Sequence, residues 1–291
     1  VDDFALFALA SIEVTDRALV QRWLEAPASR MGHRVALGTS SRSAHAIRIR
    51  GDAAVIDGTA YHAKNASPAH MVNSSRHDIR SIPLDWTPTL GGKDTPLPPR
   101  TGHSRRRGRH HLKQGPGDVV IRRNRTLHLT DENPLVVAGN LVLEQGANLV
   151  VHGSAPLRIA GDLLMNRSRI SLAPGAELDA EIGGEVELVD ATIGCSASGW
   201  SDPESIRIAC SSGDSTAEMW RLSGRSVITG IIEGEGIDLL LEDHSTVRGR
   251  LAANTIRMKD RSRLYYDHGL GGGLGTTRTA DLIADHRKKR R

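Results

Sequence analysis

From Gly117 onward the chain repeats one hydrophobic pattern. Gly117, Gly139, Gly161 and Gly184 recur at a nearly constant interval. Two positions after each stands an apolar side chain (Val119, Leu141, Leu163, Val186), and two further on another (Ile121, Leu143, Met165, Leu188). A third pair recurs as Leu127/Leu129, Leu149/Val151 and Ile170/Leu172, with Ile193 in the first place of the fourth copy. Within a unit the apolar spacing is two, the period of a strand whose alternate side chains share a face. A helix would scatter Leu141, Leu143, Leu149 and Val151 around its circumference. Gly, Asn, Asp and Pro collect between the strands, where turns need unusual backbone angles.

A tighter form occupies both ends. It reads Ile47, Ile49, Gly51, Ala53, Val55, with Gly58 following; Leu239, Leu241, Asp243, Ser245, Val247, with Gly249 following; and Ile256, Met258, Asp260, Ser262, Leu264. The start conforms too, with Ile12, Val14, Asp16, Ala18 and Val20, and Phe4–Leu9 reads as the strand that opens it. Units of roughly twenty residues, with short inward strands and small corner residues, predict an all-β, right-handed parallel β-helix with loop insertions. Ten such coils would make a rod on the order of 50 Å long. A β-sandwich also has closely spaced strands, but the constant register of the Gly and ladder positions favours the solenoid.

Interruptions divide the chain. Residues 1–81 hold N-terminal rungs or a cap, and 82–116 a Pro-rich and basic loop or linker. Residues 117–268 hold the main β-helix with a Cys- and Trp-containing insertion at 196–223, and 269–291 a Gly-rich, basic tail.

Composition sharpens this picture. Only nine of 291 residues are aromatic, which suits a narrow coil laddered with Leu, Ile and Val. The formal net charge of +4 is concentrated in Arg105-Arg106-Arg107-Gly108-Arg109-His110-His111-Leu112-Lys113 and Arg287–Arg291, which carry five positive charges each. Without those ten charges the remainder carries −6, so no uniformly basic face is implied. Arg105, Arg106, Arg107, Arg109 and Lys113 are candidate contacts for an anionic polysaccharide or surface. The absence of interleaved aromatics argues against specific nucleic-acid binding. No apolar run is long enough to span a bilayer, and the opening Val1-Asp2-Asp3 leaves room for an upstream signal or anchor. Cys195 and Cys210, separated by a polar, Gly- and Ser-containing stretch, form a candidate disulfide if the protein works outside the cytoplasm.

The tandem Ile-x-Ile-x-Gly-x-Ala-x-Val-x-Gly pattern resembles that of the bactofilins, polymer-forming β-helical proteins of bacteria. Gly230-Ile231-Ile232-Glu233-Gly234 through Gly249-Arg250-Leu251-Ala252-Ala253 carries that likeness, which covers only a small part of the chain at a time. The wider layout is similar to the β-helical ectodomains found beside minor type IV pilus components of the PilX kind. Its elements are an opening repeat, a Pro-rich break, the Leu-Val-Val-Ala-Gly-Asn-Leu-Val-Leu rungs and a closing Leu264-Tyr265-Tyr266-Asp267. The two resemblances imply a bacterial envelope or extracellular location and a homo-oligomeric or filamentous, structural or adhesive role.

Enzymes on such scaffolds cluster carboxylates on an outer face. Asp238, Glu242, Asp243 and His244, with Arg248 and Arg250, are the residues that could do so, as is the neighbouring pair Asp267-His268. Asp243 and Asp260, however, occupy the corner slot that Gly51 fills elsewhere, which predicts turn formers. No metal set, phosphate loop or nucleophile elbow stands out, so no catalytic residue and no cofactor is expected. A non-catalytic structural protein is the leading reading. A polysaccharide-active enzyme and an anionic-polymer-binding module are the alternatives.

Overall fold

The computed structural model describes residues 4–22, 35–67, 69, 71–73, 75, 79–84, 117–196, 199–210 and 217–266. Each repeat unit makes one coil of three short strands, and each strand pairs in parallel with its equivalent one coil away. In the first coil these are Val119–Ile121, Thr126–Leu129 and Leu135–Val137; in the second, Leu141–Leu143, Asn148–Val151 and Ser154–Ile159. The registers Val119↔Leu141, Leu127↔Leu149 and Leu135↔Leu157 place like residues above like. The fold is a parallel β-helix, as the period-two pattern predicts.

The interior is the set of ladders read from the sequence. On the first face, in stack order, stand Ile121, Leu143, Met165, Leu188, Leu222, Leu241, Met258, Val14 and Ile49, all buried. Fully burying one such side chain is worth about 1.5–3 kcal/mol, so the stack gains stability with every coil added.

The corners explain the recurring Gly-Asx pair. The Asp118 carboxylate accepts from the Asn140 N–H at 2.7 Å, Asn140 Oδ1 from the Asp162 N–H at 2.8 Å, and Asp162 from the Glu185 N–H at 3.0 Å. Each carboxylate or amide thus caps the coil above. A Cβ on Gly139, Gly161 or Gly184 would come within 2.4 Å of that accepting oxygen, so only glycine leaves the space. Between the first and second faces, Asp243 (φ 53°) and Asp260 (φ 52°) adopt left-handed backbone, as Gly51 does (φ 64°). Asp tolerates that region better than most residues, so the corner-slot reading holds.

The stacking order differs from the chain order. The first face runs through ten strands, from Val119–Ile121 up to residues 255–258 of Thr246–Met258, then on through residues 11–14 of Phe4–Val14 to Ile47–Ile49 and Met71–Asn73. Numbered along the stack, residues 117–266 build coils 1 to 7. Coil 7 takes its first face from 255–258 and its second from Arg263–Tyr266, and residues 6–8 supply its third. The N-terminal rungs therefore continue the solenoid above the C-terminal ones as coils 8 to 10. Outside this seam Phe4, Phe7, Leu84 and Ala252 form a small separate core, with Tyr61 edge-on to Phe4 at 5.5 Å.

The segment 196–223 is narrower as an insertion than its sequence suggests. Ile206–Cys210 and Glu218–Ser223 are rungs, in register with Leu178–Ile182 and Val186–Val189. Among the described residues the excursion proper is the antiparallel pairing of Cys195 and Ser196 with Trp200 and Gly199, then a 3-10 turn at Pro203–Ser205. Trp220 and Cys210 obscure the pattern because they occupy ladder slots that elsewhere hold Leu, Ile or Val.

Candidate functional site

The stacked corner between the first and second faces forms a concave surface. Asp243-His244, Asp260-Arg261, Asp16-Arg17 and Gly51-Asp52 lie on four successive coils. They line a shallow groove of about 600 Å³. The backbone builds it: the His244 N–H donates to Asp260 O and the Arg261 N–H to Asp16 O, both at 3.0 Å, so each corner rests on the next. Acidic and basic side chains both line it. Arg17 stands 3.7 Å from the Asp52 carboxylate, and the Arg261 guanidinium donates to His244 Nε2 at 3.3 Å. The four carboxylates Asp16, Asp52, Asp243 and Asp260 outnumber the two guanidiniums Arg17 and Arg261, so the groove is mildly acidic, with part of that charge paired between neighbouring coils.

The other carboxylates singled out in the sequence do not converge on this groove. Asp238 accepts from Asn254 Nδ2 at 3.0 Å and from the Thr255 hydroxyl at 2.7 Å, fastening coil 6 to coil 7. Glu242 is buried and takes Arg221 from the coil below and Lys259, at 2.9 Å, from the coil above. Arg250 is buried beside Glu233, which also binds Arg207. Arg248 lies over the Trp200 ring, 4.0 Å from its centroid. Arg158 bridges Glu181 at 2.7 Å and Asp179 at 3.7 Å. Each group is occupied in joining coils, an arrangement that specifies register rather than one that gathers acid and base around a substrate. Asp267-His268 lies outside the described residues.

Burial alone would raise the Glu242 carboxyl, but the hydrogen bonds and charges of Lys259 and Arg221 outweigh it and hold the group below its ordinary range. Lys259 is correspondingly raised, first by its bond to Glu242. A carboxyl lowered in the folded state contributes stability above its unfolded pKa of about 4.3, and loses it as pH falls through the folded value. Glu242→Gln is therefore expected to reduce stability at pH 7, with the deficit shrinking below about pH 4. Urea titrations of both proteins from pH 3 to 7 measure this; a deficit that does not change with pH refutes it.

No disulfide joins Cys195 and Cys210. Cys195 sits beside Trp200 at the excursion, whereas Cys210 turns into the core at the end of a third-face rung, so the bridge allowed by their spacing is not made. Burial pushes the Cys195 thiol above its ordinary value against the opposing pull of Arg169, which disfavours a nucleophilic thiolate. Arg105, Arg106, Arg107, Arg109 and Lys113 lie outside the described residues. Among the described residues no three His, Cys, Asp or Glu are placed to hold a metal, and no helix is long and apolar enough to cross a membrane.

No family model, curated protein or solved structure matches the chain. The remaining distinctive surfaces are the two ends of the stack. In coil 1, Val119, Leu127 and Leu135 are only half-buried where Leu141, Leu149 and Leu157 in coil 2 are fully buried. Sequence periodicity could not single these residues out, because a terminal ladder residue is chemically identical to an internal one.

Proposed function

We propose that this protein is a non-catalytic structural rod that associates end to end with copies of itself. The observation that carries this reading is where large apolar side chains reach solvent. Val136 (56% exposed) lies on the first coil, while Ile56 (38%) and Ile82 (41%) lie on the last two; Trp200 (41%) is the fourth of this group. At the same ends the strands Val119–Ile121, Thr126–Leu129 and Leu135–Val137, and Met71–Asn73 and Arg80–Pro83, pair on one side only among the described residues. Such edges are templates for further strand pairing. The coil-to-coil use of the corner and buried charges supports a scaffold in preference to a catalyst. The sequence likeness to envelope and filament proteins of bacteria supports a cell surface or an extracellular filament as its setting.

Sedimentation velocity and negative-stain micrographs over a concentration series test the proposal. Growth of rods with concentration is expected, and Val136→Lys combined with Ile82→Lys should raise the concentration needed at least tenfold, since lysines on edge strands oppose pairing. Dispersed monomers at every concentration would overturn it.

A further inference from the structure

Covalent order and stacking order diverge at a single connection. From Gly117 to Tyr266 the chain climbs from coil 1 to coil 7, and from Phe4 to Leu84 it climbs from coil 7 to coil 10 in the same direction. Gly117 and Leu84 thus stand at opposite ends of the stack, about 43 Å apart along its axis at ~4.8 Å per coil. In a closed single molecule residues 85–116 must bridge that distance. In an end-to-end row, coil 10 of one molecule abuts coil 1 of the next. Leu84 then lies about one strand spacing from a Gly117 it could join directly.

The seam beneath the N-terminal coils is a built docking surface. Residues 117–266 end in a coil with two faces, and the third face and all of coil 8 come from elsewhere in the sequence. The fit is register-specific on two faces: Leu6↔Leu251, Phe7↔Ala252 and Ala8↔Ala253, then Ile12↔Ile256 and Val14↔Met258. A third set, Leu19↔Arg263 to Arg22↔Tyr266, completes the layer. Phe4, Phe7 and Leu84 close the outside.

We infer that this block, residues 4–84, is exchanged between copies. In the assembled rod each chain places its N-terminal coils on coil 7 of the preceding molecule and then continues directly into its own coil 1. The inference rests on the end-to-end reading above and supplies its mechanism. Every seam contact is identical in the closed and exchanged forms. The balance between them is therefore set by the connection between Leu84 and Gly117, by the added contact of coil 10 with coil 1, and by protein concentration.

Two experiments on the whole chain test it. Glu13 and Arg257 are outward register partners across the seam, at a separation that a disulfide can bridge. Glu13→Cys with Arg257→Cys, in a Cys195→Ser, Cys210→Ala background, should yield a covalent ladder on denaturing, non-reducing gels after the assembled protein is oxidised. Gln21→Cys with Tyr265→Cys repeats the test on another face, should the first pair not fold. Rods whose disulfides are all intramolecular would overturn exchange and leave end-to-end association standing. Intramolecular disulfides in dispersed monomers would overturn both. Deleting residues 88–111 leaves eight residues between Leu84 and Gly117, with a reach of at most about 32 Å. That chain cannot close on itself, so it is expected only as assemblies; a folded monomer would refute the inference.

Discussion

Trp220→Ala is expected to destabilise the protein by about 4 kcal/mol, the cost of emptying an aromatic-sized space in a packed core. Trp220 is the largest of the fully buried side chains, in register between Val186 below and Leu239 above. Its indole N–H donates to the Gly184 carbonyl at 3.1 Å, at the corner where the Gly-Asx ladder ends. Truncation therefore removes a ladder rung and leaves a buried carbonyl unpaired, which adds about 1–3 kcal/mol if no water replaces the indole. Strands on both sides hold the coil open, so it has little freedom to collapse. Trp220→Phe should recover more than half of the loss, because most of the aromatic volume is restored while the hydrogen bond and part of the indole's volume stay missing. Urea midpoints of the three proteins decide the matter. A loss below about 1 kcal/mol for the Ala variant would mean that this coil repacks freely.

Gly249→Val should be more damaging still and is expected to yield no cooperatively folded protein. Gly249 sits at φ 145°, directly above Gly230 in register, and an added Cβ would lie 2.0 Å from the Gly230 carbonyl oxygen. That oxygen is backbone, held between two coils, and cannot swing aside as a side chain would. Forbidden dihedrals and overpacking combine, for a cost of more than about 4 kcal/mol. Gly51→Ala is the informative contrast. Its φ of 64° is also left-handed, yet nothing lies within 4 Å of the new Cβ, so only the conformational cost of about 1–2 kcal/mol remains. Thermal melts of the two variants separate crowding from backbone preference. Similar Tm values for both would show that coils 5 and 6 can move apart.

Much of this fold is legible in the sequence because a β-helix is built from local rules. The Leu141/Leu143 and Leu149/Val151 pairs, the Gly-Asx corners and the Asp243 and Asp260 slots each report their own position within a coil. The arrangement of coils is not legible in the same way. Ile12 and Val14, near one end of the chain, pair with Ile256 and Met258 near the other, and nothing in either motif distinguishes that partner from Ile47 and Ile49 on the next coil. Identical ladder positions make every coil an acceptable neighbour for every other, so register along the stack rests on features that break the repeat. The Phe4–Phe7 cluster is one, and the charged joints Arg221–Glu242–Lys259 and Arg207–Glu233–Arg250 are others. Trp220 hid for the opposite reason: an aromatic in a Leu slot reads as a break in the pattern although it fills a rung. The corner residues Asp243 and His244 are adjacent in sequence and share one groove, yet both serve a turn; the repeat predicts this for Asp243, and for His244 the left-handed backbone reveals it.

Coil 7 receives both the first described strand of the chain and the last. Phe4 enters it on one face and Tyr266 leaves it on another, with six coils below and three above. A tether held at Phe4 or at Tyr266 consequently grips the rod by its flank, nearer one tip than the other. Tension along that tether would reach the molecule as leverage on the 6–14 seam, while both tips stayed clear of the anchorage.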